Sequence, residues 1–190
     1  MIVIVSGPSA VGKNYLCEYA AAQGFRFITP FTTRLPRDGE RDGEDYHFLS
    51  VEDFQDRIRA NFFYDWDYVL GNYYGSSRVA IEDCLADSAV SFIHALARMA
   101  IRLKLRAVKV HTVLLLPSSE KVLESRLAVR DTAPEELDAR RAHWVEEERH
   151  ARLFDQVIEE ADSTDASLML SSITSRLQDS SIADGTSPLV

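Results

Sequence analysis

A glycine-containing loop with a lysine near its end, Gly7-Pro8-Ser9-Ala10-Val11-Gly12-Lys13-Asn14, is the most informative part of this sequence. It follows the apolar run 2–5 and precedes a segment whose apolar residues have helical spacing. A strand, such a loop and a helix form the context of a phosphate-binding P-loop, in which backbone N–H groups point at a polyphosphate. The N-terminus of the helix adds about half a positive charge. The stretch therefore predicts a polyphosphate site, with Lys13 reaching the β- and γ-phosphates.

One position departs from the P-loop pattern, which places Ser or Thr after the lysine as a ligand of Mg²⁺. Asn14 stands there instead. Because an amide oxygen can coordinate a hard cation, Asn14 stays a candidate ligand for Mg²⁺. A glycine-rich turn before a helix is often only a turn, but the strand, the spacing and the lysine together favour phosphate binding.

Length, charge and cysteine content limit the classes of protein to which this chain can belong. A chain of 190 residues indicates one domain, or one domain with an inserted lobe. The net charge of −9 argues against non-specific nucleic-acid binding but not against a nucleotide, since a few local arginines suffice for one phosphate. Cys17 and Cys84 form neither a disulfide framework nor a metal pair, and both are expected to be buried and inert. No signal-peptide pattern and no membrane-length apolar run is found, so we expect a cytoplasmic protein that binds neither membrane nor nucleic acid.

Apolar runs that alternate with amphipathic segments predict an α/β protein, with a parallel sheet flanked by helices. In such sheets ligands lie beyond the carboxyl ends of the strands. Strands are predicted at 2–5, 25–28, 89–93, 108–116 and 156–158, and helices at 13–23, 78–86, 95–106, 118–130, 134–153 and 165–177.

The segment 30–77 interrupts this alternation and is predicted to be an inserted lobe. Its first part is polar and aperiodic, as in loops or short edge strands, and Ser50 with Asp53 three residues on predicts the start of a helix. The aromatic residues of 62–74 either pack a small sheet or stack on a base. The predicted organisation is one domain over 1–178, with a core of 1–29 and 78–178, the lobe at about 30–77, a lid at about 126–148 and a disordered tail of 179–190.

A second constellation lies in this lobe. Arg34 and Arg37 flank a proline. Two guanidinium groups three residues apart are suited to binding one phosphate, and tyrosine hydroxyls can complete such a pocket. The quoted segments are Thr32-Thr33-Arg34-Leu35-Pro36-Arg37-Asp38-Gly39-Glu40, Gly43-Glu44-Asp45-Tyr46-His47-Phe48 and Gly71-Asn72-Tyr73-Tyr74-Gly75-Ser76.

Taken in order after the P-loop, these segments closely resemble the guanylate kinase family, over most of the chain to about Leu177. The resemblance implies a P-loop kinase fold with a nucleotide-monophosphate-binding lobe and a helical lid. It implies ATP-dependent phosphorylation of a nucleoside monophosphate, GMP or dGMP first, with Mg²⁺ as cofactor. ATP and the monophosphate are the expected partners, and the protein is expected to be a monomer or a homodimer.

The resemblance also assigns roles to individual residues. The P-loop residues Gly7 to Asn14 would bind the ATP phosphates, and Asp65 lies where the family has a glutamate that reads the guanine edge. Ser76 matches a serine that faces the base. The acceptor phosphate would be held by Arg34, Arg37, Tyr46 and Tyr74. The catalytic charges would be Lys13 and the lid arginines Arg126, Arg130 and Arg140 or Arg141. For these arginines the alternative is a solvated charged face.

Several positions depart from the family pattern. Asn14 replaces the metal-linked hydroxyl, Pro30 replaces a serine, and Asp65 is one methylene shorter than glutamate. His94 and Leu96 stand where the family carries aspartates, and His94 reads as a tolerated strand-end residue rather than a catalyst. Since the phosphate-binding residues are kept and the base-reading ones are partly replaced, we expect guanine selectivity to be weaker than in a typical guanylate kinase. A kinase for a modified nucleotide or a phosphorylated sugar, and a catalytically weak binding module, remain the alternatives.

Overall fold

The computed structural model describes residues 1–107, 109–129, 134–161 and 163–183. Within these ranges the chain forms nine strands and seven helices, with a short 3₁₀ turn at Ala151–Leu153. The strands are β1 (Ile2–Ser6), β2 (Arg26–Phe27), β3 (Phe31–Thr32), β4 (His47–Phe48), β5 (Phe63–Val69), β6 (Asn72–Ser77), β7 (Ser91–His94), β8 (Val110–Leu115) and β9 (Gln156–Ile158). The helices are α1 (Lys13–Ala22), α2 (Val51–Arg59), α3 (Arg78–Ala86), α4 (Ala97–Arg106), α5 (Glu120–Val129), α6 (Pro134–Arg149) and α7 (Ala166–Ala183).

The main sheet is parallel and has five strands in the order β2-β7-β1-β8-β9, as the α/β prediction requires. Strand β1 lies at its centre and is fully buried. Successive side chains of a strand point to opposite faces, so Val3 and Val5 pack towards α1 and α7 while Ile2 and Ile4 pack towards α3 and α4. The sheet is therefore covered on both faces, and its carboxyl edge is where loops are open to a ligand.

The inserted segment forms a second sheet of four strands in the order β4-β3-β6-β5. Phe54 of α2 is fully buried beneath it, with ring centroids 4.2 Å from Phe63 and 5.2 Å from Tyr73. A Cβ at Gly75 would lie 2.8 Å from the Phe63 ring, so only glycine lets β6 lie against these rings. Of the two interpretations of the aromatic residues, sheet packing is the one these rings follow.

Local signals in the sequence placed several elements well. The Ser50 hydroxyl accepts a hydrogen bond from the Asp53 N–H at 3.0 Å and caps α2, as its spacing predicted.

Cys17 and Cys84 are buried and unpaired with each other, and burial raises the pKa of the Cys17 thiol.

The last helix was predicted wrongly, because α7 continues to Ala183 instead of ending near Leu177. The predicted tail 179–190 therefore overlaps the helix, and residues 184–190 lie outside the described part of the chain. The bounds of core, lobe and lid stay predictions. In the described ranges, no helix is both long and apolar enough to cross a membrane.

Candidate active site

A cleft of about 760 Å³ lies at the carboxyl edge of the main sheet, between the loop after β1 and the small sheet. This volume is in the range of small-molecule sites. Its lining brings the two predicted phosphate sites into one space: Gly7, Ser9, Ala10, Gly12, Lys13 and Asn14 from one side, and Arg34, Arg37, Tyr46, Tyr74 and Ser76 from the other.

The backbone angles of the P-loop explain why glycine occupies positions 7 and 12. Gly7 has φ = 139°, and a Cβ there would lie 2.3 Å from the carbonyl oxygen of Leu115 in the neighbouring strand β8. Gly12, with φ = 112°, precedes α1, so the N-terminus of this helix opens into the cleft. The Lys13 ammonium donates to the Gly7 and Pro8 carbonyls at 2.6 and 2.8 Å, which holds the cation against its own loop.

Two of the predicted lid arginines, one on α5 and one on α6, contact the P-loop. Arg126 donates to the Ala10 carbonyl at 3.1 Å, and Arg140 approaches the Ser9 hydroxyl at 3.4 Å. Arg141, the alternative to Arg140, instead forms ion pairs with Glu120, Glu124 and Asp138 on the outside of the helices. Arg130 lies outside the described residues.

On the opposite wall, Glu40 organises the arginine pair. Its carboxylate accepts both Nη groups of Arg34, at 2.8 and 2.9 Å, and the backbone N–H of Arg37 at 2.8 Å. Burial acts to raise the pKa of Glu40, but these hydrogen bonds outweigh burial and hold that pKa below its ordinary value. Glu40 stands in the motif quoted above, yet the sequence did not single it out as a positioning residue.

His94 lies at the floor of the cleft, at the end of β7, and is 3% exposed. Its Nδ1 is 3.4 Å from the Tyr46 hydroxyl. Burial, with the nearby charge of Lys13, lowers the pKa of His94 to about 3, so the imidazole is neutral at physiological pH. In this place His94 contributes a neutral hydrogen-bonding group to the tyrosine wall rather than an acid.

Asp65 borders a separate cavity of about 10 Å³ behind the cleft wall, and its carboxylate is held by Arg102 of α4. The Arg102 Nε lies 2.8 and 3.1 Å from the two Asp65 oxygens, and Arg102 also pairs with Asp67 at 3.2 Å. Arg102 was missed from the sequence. The spacing of arginines at 98, 102 and 106 on one helix face was the signal that could have found it.

Polar and apolar groups both line the cleft. Its apolar side chains include Pro30, Val69, Leu70, Leu96 and Met99, and the largely buried Ser76 lies in the same lining. A group carried by a phosphate bound at Arg34 and Arg37 would meet both kinds of surface.

Glu147 of α6 is another residue that the sequence did not reveal, since it lies between Glu146 and Glu148 in a highly charged helix. Its side chain is 3% exposed and accepts the Gly7 N–H at 3.1 Å and the Ala97 N–H at 2.9 Å. The carboxylate thus joins the first residue of the P-loop to the N-terminus of α4, where a negative charge is favourable.

The described residues contain no cluster of three or more His, Cys, Asp or Glu side chains able to hold a metal ion. Asn14 supplies an amide oxygen at the cleft wall. Mg²⁺ is commonly held by one or two protein ligands together with substrate phosphates and water, so this sparse donor set fits a cation that arrives with a polyphosphate.

The fold and the site together define a P-loop phosphotransferase whose acceptor is itself a phosphate. The family model described as guanylate kinase matches residues 1–177, so the chain belongs to the guanylate kinase family. It is 36% identical to a guanylate kinase of Idiomarina loihiensis, over 83% of this chain and 77% of the relative. It is 35% identical to a guanylate kinase of Wolinella succinogenes, over 90% and 82%. The crystal structure of guanylate kinase from Anaplasma phagocytophilum superposes with a TM-score of 0.75 at 24% identity, covering 95% of this chain and 85% of that one, which supports the fold.

Proposed function

We propose that this protein transfers the γ-phosphoryl group of ATP to the phosphate of a nucleoside monophosphate, with GMP and dGMP as the first acceptors to consider. The observation that carries the proposal is the single cleft whose two walls hold Lys13 and the arginine pair Arg34 and Arg37. The relatives named guanylate kinases support the choice of acceptor.

The chemistry requires positioning and charge neutralisation more than covalent participation. An acceptor phosphate oxygen is ionised at neutral pH, so no general base is needed, and Arg37 and Arg34 orient it for in-line attack. Because Glu40 fixes both arginines before the acceptor binds, less conformational entropy is lost on binding. The cations of Lys13, Arg126 and Arg140 all contact the P-loop. They would therefore lie close to the γ-phosphoryl group, on which negative charge is redistributed during transfer.

Mg²⁺ bound with ATP would neutralise charge on the β- and γ-phosphates, with Asn14 as its protein ligand.

A second candidate acceptor class is favoured by the pairing of Asp65 with Arg102. A carboxylate engaged in this way does not offer its oxygens to a guanine edge, and Asp65 is not among the residues that line the cleft. A kinase of the same fold that acts on a modified nucleotide or a phosphorylated sugar is consistent with that arrangement.

The deciding experiment measures ADP formation from Mg·ATP with GMP, dGMP, AMP, IMP and ribose 5-phosphate as acceptors. We expect acceptor-dependent turnover that Lys13→Ala abolishes and that Lys109→Ala, a substitution of an exposed lysine away from the cleft, leaves unchanged. ATP binding without turnover of any acceptor would indicate a binding module. If neither ATP binding nor turnover depended on Lys13, the proposed function would be wrong.

A further inference from the structure

One face of α6 lies against the phosphate-binding side of the cleft. Arg140, His143 and Glu147 are spaced by three and four residues, so they lie on one side of the helix. Arg140 approaches the Ser9 hydroxyl, His143 lines the cleft, and Glu147 accepts the Gly7 N–H. Arg140 was expected from the sequence, whereas nothing assigned a role to the other two.

His143 has an unsatisfied polar atom at this place. Its side chain is 10% exposed, and its Nδ1 is buried without a hydrogen-bond partner among the described residues. Leaving such an atom unsatisfied costs about 1–3 kcal/mol, and each such atom in a folded protein calls for an explanation. Since His143 shares the cleft lining with Gly7 and Lys13, a phosphate oxygen bound there is a suitable partner once a small shift of the ring uncovers Nδ1.

Glu147 holds the other side of the imidazole. The His143 Nε2 lies 3.7 Å from Glu147 Oε1, and the carboxylate is itself fixed by the Gly7 and Ala97 N–H groups. A carboxylate held in this way stabilises an imidazolium and keeps its ring orientation.

The charges around His143 are balanced before any ligand binds. Burial lowers the pKa of His143, and Lys13 of α1 and Arg98 of α4 act in the same direction. Glu147 and Glu146 of its own helix oppose them. A polyphosphate bound at the P-loop adds several negative charges on the side of Lys13, which shifts the balance towards the protonated ring.

We propose that His143 is a further phosphate-binding residue of this site, which takes up one proton from solvent as a polyphosphate binds and then donates Nδ1–H to a phosphate oxygen while Glu147 positions the ring. No covalent bond forms or breaks in this step. The inference rests on the proposed function only in that the cleft binds a polyphosphate, and it does not depend on the acceptor.

Isothermal titration calorimetry of the full chain with inorganic tripolyphosphate tests the proposal. The titration is made at pH 7.5 in buffers of different ionisation enthalpy, so that the heat reports proton uptake. On binding, the wild type should take up nearly one proton more than His143→Gln does. The variant should also bind tripolyphosphate about tenfold more weakly, since a charge-assisted hydrogen bond is lost. Protonation of the tripolyphosphate itself cancels in the difference. His150→Gln, near the end of α6 and outside the cleft lining, is the matched control and should be unchanged.

A second measurement needs no variant. In the wild type labelled with ¹⁵N-histidine, one imidazole should move to imidazolium shifts at both ring nitrogens when tripolyphosphate is added, and the ring should stay neutral in Lys13→Ala, which is not expected to bind. Equal proton uptake and equal affinity in wild type and His143→Gln would overturn the role of His143 while leaving the proposed function intact. Tripolyphosphate binding that survives Lys13→Ala would instead contradict the proposed function.

Discussion

The guanidinium of Arg102 lies across the carboxylate of Asp65, with its Nε 2.8 Å from Oδ2 and 3.1 Å from Oδ1. Burial raises the pKa of Asp65, and the hydrogen bond from Arg102 acts against that rise. Asp65, which the sequence resemblance predicts to read guanine, is therefore satisfied within the protein. This relationship bears directly on which acceptor the cleft prefers.

Arg102→Gln is expected to change acceptor preference. Without the guanidinium, the Asp65 carboxylate can turn to a hydrogen-bond donor on a base, so kcat/KM for GMP relative to AMP should rise about tenfold. Steady-state kinetics with both acceptors measure this ratio. Arg106→Gln is the control, because Arg106 is 3.8 Å from Asp65 and more exposed. An unchanged ratio in Arg102→Gln would show that Arg102 does not limit guanine recognition.

Gly7→Ala is expected to destabilise the protein and abolish turnover. A methyl group there would overlap the Leu115 carbonyl, and the backbone has positive φ as well, so the free energy of unfolding should fall by more than about 2 kcal/mol. Gly24→Ala separates the two effects, since Gly24 has φ = 92° but no atom within 4 Å of its Cβ position. Urea denaturation should show a loss of about 1 kcal/mol for Gly24→Ala. Equal losses would mean that steric overlap at Leu115 is relieved by a backbone shift.

The buried neutral imidazole of His94 should make the protein sensitive to acid. In the folded state the pKa of His94 is about 3, whereas in the unfolded chain it is ordinary, about 6.5. Between these values the unfolded state binds more protons, so stability falls as pH falls, by up to about 1.4 kcal/mol per pH unit. His94→Asn should lose this part of the slope between pH 6.5 and 4 and match the wild-type slope above pH 7. Chemical denaturation across that range is the measurement, and identical slopes would contradict the assignment.

Glu40→Gln is expected to weaken acceptor binding selectively. The neutral amide cannot hold both Nη groups of Arg34 and the Arg37 N–H in the same arrangement, so KM for the acceptor should rise about tenfold while KM for ATP stays within twofold. Glu44→Gln removes an equal charge from an exposed pair with Arg41 and serves as the control. Equal increases in both KM values would indicate a general loss of structure instead.

Arg140→Ala and Arg141→Ala should separate the two lid arginines that the sequence left as alternatives. Arg140 reaches Ser9 of the P-loop, whereas Arg141 lies in a surface ion-pair network. We expect kcat to fall at least tenfold in Arg140→Ala and to change by less than threefold in Arg141→Ala. A larger loss in Arg141→Ala would assign the catalytic charge to that residue.

Much of the fold was predictable, because its signals are local. The apolar run at 2–5, the glycines and lysine of the P-loop and the Ser50 cap each depend on neighbours within a few residues. The end of α7 was missed, because residues 178–181 are all polar and no stop signal occurs before Gly185.

Pairings between distant segments were not predictable in the same way. Arg102 is 37 residues from Asp65, and Glu147 is 140 residues from Gly7. The spacing of the arginines at 98, 102 and 106 marks a helix face but not its partner, and no pattern in the sequence distinguishes Glu147 from its solvated neighbours.

The fold could be inferred from the sequence alone, and the two phosphate sites could be predicted from it, because a P-loop and an arginine pair are made by short segments whose backbone geometry their own residues dictate. How those segments are held, and what surrounds them, became visible only in the folded structure. Asp65 is engaged by Arg102 and Gly7 by Glu147 because β1, β7 and the small sheet bring α4 and α6 to the same cleft. The partner of a buried charge is fixed by packing in space, and packing joins residues that the sequence keeps far apart.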